Sequence, residues 1–173
     1  YLTELIGGGE SLQINEIHGE PNPLFPGFSR PEPISHNLGP LRDHVLRGGF
    51  SVGLATDGDA DRVGGVDEKG RAFTPLQFFA LLTHYMLEIR KDRGALVKSV
   101  TSSSMIDRLG EIYAVPVHTT PVGFKYLGPK MLESDALIGG EESGGFGFRG
   151  HIPERDGILS SLYLLDALVR TGA

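Results

Sequence analysis

Cysteine and tryptophan are absent from this chain of 173 residues. Without cysteine there is no disulfide framework, no zinc ribbon and no thiol nucleophile, a pattern that fits a reducing cytoplasm. Long apolar runs are missing too: nothing approaches the roughly 20 residues a bilayer crossing needs, and the first residues lack the basic start and apolar core of a signal peptide. Positive charge is scarce, with 16 Lys and Arg against 22 Asp and Glu for a net charge of -6. A chain this acidic offers no broad footprint for a phosphate backbone, so neither nucleic acid nor a membrane is an expected partner. The chain opens Tyr1-Leu2-Thr3 with no initiator methionine and is expected to be a piece of a longer protein.

Glycine is what the chain has in abundance, 25 residues, about twice the average usage. The glycines gather beside acidic and hydroxyl residues instead of spreading as a linker. Leu5 and Ile6 before Gly7-Gly8-Gly9 read as a helix tail stopped by glycine. Leu12 to Ile17 alternates apolar and polar residues, the mark of a strand with one buried face. The prolines from Pro21 to Pro40 deny helix and strand interiors, which predicts an ordered loop, followed by a short helix over Leu41 to Leu46.

Phe50 to Ala55 and Val63 to Val66 read as strands on either side of Thr56-Asp57-Gly58-Asp59-Ala60-Asp61-Arg62. Thr74-Pro75-Leu76-Gln77 is a strong helix start, with a capping threonine, proline in the first turn and glutamine where a capping box closes. The stripe Leu76, Phe79, Ala80, Leu82, Tyr85, Met86, Ile89 continues that helix at a 3.6 period. Strand-like runs at Ala95–Val100, Ala114–His118 and Ala136–Ile138 alternate with helical patterns at Met105–Ile112 and Tyr126–Glu133, and a last helix covers Gly157 to Arg170. Such alternation implies a parallel sheet. The expected fold class is α/β, with mixed or mostly parallel sheets flanked by helices, arranged as one partial and one complete α/β/α domain. The boundary between residues 1–70 and 71–173 falls near the turn Asp67-Glu68-Lys69-Gly70.

Asp57, Asp59 and Asp61 alternate along one short loop, where their mutual repulsion calls for a positive charge among them. A divalent cation answers that need, and all-oxygen ligands select Mg²⁺, Ca²⁺ or Mn²⁺. A solvated turn of unpaired acids is the bland alternative. An EF-hand is a sharper one, because Asp57, Asp59, Asp61 and Glu68 fall at its loop positions 1, 3, 5 and 12. It fails where position 6 needs glycine and holds Arg62, and where the flanks read as strands. Arg62, directly after the acids, suits a phosphate whose other oxygen a metal holds. The second informative loop, Ile138-Gly139-Gly140-Glu141-Glu142-Ser143-Gly144-Gly145-Phe146-Gly147, frames two acids and a hydroxyl with glycines, so those groups can approach a ligand's hydroxyls without crowding. A flexible glycine turn is the competing reading.

Together, Asp57-Gly58-Asp59-Ala60-Asp61-Arg62 and Gly140-Glu141-Glu142-Ser143-Gly144 resemble the metal-binding and sugar-binding loops of the α-D-phosphohexomutase superfamily, the phosphoglucomutases and phosphomannomutases. Thr119 to Tyr126 and Arg155-Asp156-Gly157 extend the resemblance over nearly the whole chain. The resemblance implies the later part of a second domain with the metal loop and all of a third domain with the sugar loop. A first domain with a catalytic phosphoserine and a fourth binding substrate phosphate would lie elsewhere in the parent chain. It further implies that Asp57, Asp59 and Asp61 bind Mg²⁺, Arg62 contacts the phosphoryl group in transit, Glu141 and Ser143 hold sugar hydroxyls, and Lys125 faces the cleft. The implied partners are a phosphosugar and a bisphosphorylated sugar intermediate, with hexose 1-phosphate and hexose 6-phosphate interconverted. A phosphopentomutase, a phosphoglucosamine mutase or a non-catalytic metal and phosphosugar-binding module are the alternatives. Some relatives of that superfamily carry a histidine where this chain has Gly145, so a proton-transfer role held by that histidine does not carry over; His151 is a nearby substitute and His118, beside Thr119 and Thr120, a second candidate, against the commoner reading of a lone histidine as a surface or structural residue. Ser35-His36-Asn37 imitates the phosphoserine loop but lies too close to Asp57 and is followed by Leu38, so a polar turn is the better reading.

Overall fold

The structure, a computed structural model, describes residues 4, 6 and 12–172. Contacts divide the chain into two compact units, Tyr1–Pro31 and Glu32–Ala173. In the first, Glu4 and Ile6 are helical, while Leu5 and the expected glycine stop at Gly7–Gly9 lie outside the described residues. The strand expected over Leu12–Ile17 does not form: Leu12 makes an isolated bridge and the rest has no regular structure. Leu12, Ile14 and Ile17 are still the half-buried positions. Alternation thus marked the covered face, but a strand also needs a neighbour to hydrogen-bond, and a run of side chains cannot supply one. The proline-rich loop is ordered by turns such as Phe25 N–H to the Asn22 carbonyl, 3.1 Å.

The second unit begins with a turn at Ser35-His36-Asn37 and helix α1, Gly39–Gly48, whose proline lies in the first turn and whose end passes to Gly49 at φ 65°. Strands β1, Val52–Thr56, and β2, Val63–Asp67, pair antiparallel with Thr56 opposite Val63. This hairpin carries the three acids at its tip and rules out the helical flanks of an EF-hand.

Helix α2, Pro75–His84, starts where the sequence places it. Thr74 Oγ accepts from Gln77 N–H at 3.2 Å and Gln77 Oε1 accepts from Thr74 N–H at 2.9 Å, a box worth about 1 kcal/mol. Its pattern then runs into a π-helical turn, Tyr85–Ile89, closed by Arg90 N–H to the Tyr85 carbonyl at 3.0 Å. Strand β3, Leu96–Ser99, helix α3, Met105–Tyr113, strand β4, Val117–Thr120, helix α4, Phe124–Glu133, and strand β5, Ile138–Gly140, follow in alternation. β4 starts later than expected because Ala114 takes a left-handed conformation, φ 52°, to end α3. Strand β6, Phe146–Phe148, is an addition to the sequence reading, and helix α5, Gly157–Thr171, closes the chain.

The main sheet has the order β4-β3-β5-β6, parallel across β4, β3 and β5 and antiparallel for β6. Leu96 and Ile138 point to a core with Phe78, Phe79, Leu82, Tyr85, Met86, Ile106 and Phe146, while Val97 points to the opposite core with Phe124, Leu127 and Met131. Alternate residues of a central strand thus serve opposite layers, α2, α3 and α5 on one face and α4 on the other. Each fully buried large side chain contributes about 1.5–3 kcal/mol. Phe146 stacks on Phe79 with ring centroids 5.4 Å apart, which anchors the short β6. Val63 of the hairpin belongs to the same core, so one compact unit spans both sides of Gly70.

Candidate metal and sugar site

Because β3, β4 and β5 run parallel, the segments after Ser99, Thr120 and Gly140 emerge at one edge of the sheet, the edge at which α/β sheets bind ligands. The hairpin tip is joined to that edge by backbone hydrogen bonds. Val63 N–H donates to the Gly144 carbonyl at 3.0 Å and Gly157 N–H to the Ala60 carbonyl at 2.9 Å. A Cβ on Gly157 would stand 2.5 Å from the Arg62 carbonyl oxygen, so only glycine lets α5 start this close to the acidic loop.

The loop gathers its acids. Carboxylate oxygens of Asp57, Asp59 and Asp61 lie within 4.8 Å of one another, with Asp57 buried and Asp59 exposed. Left-handed Ala60, φ 58°, bends the chain so that alternate side chains converge. Three oxygen donors at this spacing fit one hard divalent cation with water completing its shell. Arg62 turns back on the acids: its Nε meets Asp57 at 2.5 Å and Asp61 at 3.7 Å, and Nη1 meets Glu32 at 3.3 Å. Burial tends to raise the Asp57 pKa, but the hydrogen bonds from Arg62 outweigh it and hold the carboxyl below its usual range. Asp61 goes the other way: burial, helped by Asp57, pushes it up to about 6 despite Arg155.

The glycine-acid segment is the turn of the β5-β6 hairpin. Gly144 takes φ 92°, which favours glycine, and Glu141 N–H donates to the Gly145 carbonyl at 3.1 Å. The Glu141 side chain is buried; its Oε1 accepts from Gly123 N–H at 2.8 Å, and burial raises its pKa despite that bond. Ser143 Oγ is buried with no hydrogen-bond partner among the described residues, a costly state for a hydroxyl. Glu142 faces away, accepting from Ser99 Oγ at 2.7 Å. Lys125 is exposed in the first turn of α4, two residues after the Gly123 amide that holds Glu141, with its ammonium 5.1 Å over the Tyr126 ring. His151 Nε2 pairs with Asp156 at 2.9 Å.

Arg155 joins the two loops and was not singled out as a site residue from sequence. Its Nη2 meets Asp61 at 2.6 Å and its Nη1 stands 3.9 Å from Glu141.

The sequence model of phosphoglucomutase/phosphomannomutase alpha/beta/alpha domain III matches residues 74–173, and that of domain II matches residues 2–70. The chain belongs to the phosphoglucomutase/phosphomannomutase family. A phosphoglucomutase/phosphomannomutase of Thermococcus kodakarensis is 31% identical over 99% of this chain and 36% of its own length. A phosphoglucosamine mutase of Kineococcus radiotolerans is 37% identical over 99% of this chain and 35% of its own. Among solved structures, a Thermus thermophilus protein assigned as a phosphomannomutase is 47% identical with TM-score 0.76, over 82% of this chain and 32% of that one. The chain therefore spans about a third of the length of these relatives. Within the family frame, the three-carboxylate loop falls in the domain II match, while Glu141, Ser143, Lys125 and Arg155 fall in the domain III match.

Proposed function

We propose that this chain is the second-to-third-domain portion of a phosphosugar mutase that interconverts hexose 1-phosphate and hexose 6-phosphate through a phosphoserine enzyme and a bisphosphorylated sugar. The observation that carries the reading is the convergence of three carboxylates with a glycine-framed acid and a serine hydroxyl that has no hydrogen-bond partner among the described residues, at one sheet edge. Asp57, Asp59 and Asp61 would hold Mg²⁺. When bound there, the ion supplies charge neutralisation at a phosphoryl oxygen, the main demand of phosphoryl transfer.

The chain's own groups do the positioning. Arg62 exchanges its carboxylate partners for phosphoryl oxygens, which suit the same planar fork. Ser143 Oγ and Glu141 hold sugar hydroxyls, and Gly123 N–H keeps the Glu141 carboxylate aimed across the hairpin. Lys125 stands at the cleft with a cation for the substrate phosphate. The nucleophilic serine and the phosphate-anchoring domain belong to parent-chain regions outside residues 1–173, and the setting is a cytoplasmic one.

The test assays conversion of glucose 1-phosphate with Mg²⁺ and a catalytic amount of the 1,6-bisphosphate. This chain alone should show no turnover. The whole parent protein should turn over, and Asp57→Asn in it should cut activity at least about 100-fold, the scale of a lost ligand or its support. Turnover by the 173-residue chain would overturn the domain assignment and return Ser35 as the phosphorylated residue. A parent protein active without any divalent cation would overturn the metal assignment.

A further inference from the structure

Arg155 is ringed by three carboxylates from different places in the chain: Asp61 at 2.6 Å, Glu154 at 3.3 Å and Glu141 at 3.9 Å. Its guanidinium also stands 5.9 Å over the Phe124 ring. The path of its stem depends on one residue, for a Cβ at Gly145 would lie 2.2 Å from Arg155 Cδ.

Both oxygens of Asp61 are thereby turned toward cations, Oδ2 toward Arg155 and Oδ1 toward Arg62 at 3.7 Å. A divalent ion ligated by Asp61 would sit within a few ångströms of the Arg155 guanidinium, and like charges at such range repel by kilocalories in a partly buried site. One of the two must yield. Arg155 has somewhere to go, because Glu141 is already at 3.9 Å and is nearly fully buried.

We infer that Arg155 is an internal counter-cation of the acidic loop, displaced toward Glu141 when a divalent ion takes Asp61, so that metal binding at one loop changes the partner of the acid at the other. It is a positioning residue in this role, and the inference rests on the metal reading above. Linkage makes the effect reciprocal: whatever draws Arg155 to Glu141 strengthens the ion, and whatever confines it to Asp61 weakens the ion.

The experiment titrates Mn²⁺ into the 173-residue chain by calorimetry and by the electron paramagnetic resonance of free Mn²⁺, with no substrate or turnover involved. Arg155→Gln should bind Mn²⁺ about tenfold more tightly and Glu141→Gln about fivefold more weakly, the range expected for single charge couplings. The double variant should match Arg155→Gln within about twofold, because Glu141 acts through Arg155. A merely structural role would weaken binding in every variant. Unchanged or weaker binding in a folded Arg155→Gln, or additive effects in the double variant, would overturn the inference while leaving the metal site in place. If Arg155→Gln does not melt cooperatively, an unchanged affinity in Glu141→Gln overturns it alone. Failure of the unaltered chain to bind Mn²⁺ would overturn the metal reading and this inference with it.

Discussion

The two ends of the four-stranded sheet contrast in how fully their polar side chains are engaged. Where β3 and β4 begin, a cleft of about 680 Å³ is lined by Arg93, His118, Lys130, Glu133 and Arg149 among others. Its cations are already engaged. Arg149 donates to the carbonyls of Arg93 and Asp135 at 3.0 Å, Arg93 donates to the carbonyls of Leu87 and Asp92, and Lys130 pairs with Glu133 at 3.0 Å. At the other end Asp57 and Asp61 are also paired, with Arg62 and Arg155, but Asp59 is exposed and Ser143 Oγ has no hydrogen-bond partner among the described residues. Hydrogen-bonding capacity left over in a fixed geometry separates a candidate binding edge from a structural one.

The contrast is sharpest at Gly157, where an added methyl would meet backbone oxygens of Arg62 and Ala60 at 2.5 and 2.9 Å. Gly157→Ala should cost about 2–3 kcal/mol in thermal unfolding, since backbone cannot step aside as a side chain can, and it should weaken Mn²⁺ binding too. At the opposite end, Arg149→Ala removes the guanidinium from two carbonyls and should cost about 1–2 kcal/mol. Its Mn²⁺ affinity, measured by calorimetry, should be unchanged, and a shift would break the claim that the two ends are independent.

The smallest effect concerns Glu142. Burial works to raise its pKa, but the hydrogen bonds from Thr101 and Ser99 win and lower it from 4.5. The folded carboxyl therefore holds its proton less tightly than the unfolded one. Its stabilisation is present in full above the ordinary value and is lost as pH falls through the lowered one. Glu142→Gln should cost about 1 kcal/mol at pH 7 and progressively less in melts below about pH 4.

What the sequence made legible was local. The start of α2 is written in four consecutive residues, and the capping box forms as read. The spacing of the three acids predicts that they gather, and the structure brings their carboxylate oxygens within 4.8 Å of one another, a cluster that could hold a metal ion. The π-helical turn was hidden because a bond from Arg90 to Tyr85 is chosen by how Tyr85, Met86 and Leu87 pack, not by their propensity. Strand β6 was hidden inside a glycine-rich run: Phe146-Gly147-Phe148 becomes a strand only because β5 lies beside it and Phe146 stacks on α2. Arg155 stood out in the sequence only as part of Arg155-Asp156-Gly157 and with no site role, because its contacts with Asp61 and Glu141 are made in tertiary structure. Leu12–Ile17 shows the converse error, a correct burial pattern with no strand.

The bonds that fasten the acidic loop to the sheet edge bear on how this polypeptide could be divided. The family matches part between residues 70 and 74, yet Val63 to Gly144, Gly157 to Ala60 and the Asp61–Arg155 pair all bind segments from the two sides of a cut made there. Such a cut would give two pieces that share Val63 in a common apolar core. Expressed together, the halves would behave as a complementing pair, each ordering the other, and expressed apart each would bare the backbone that the other had covered.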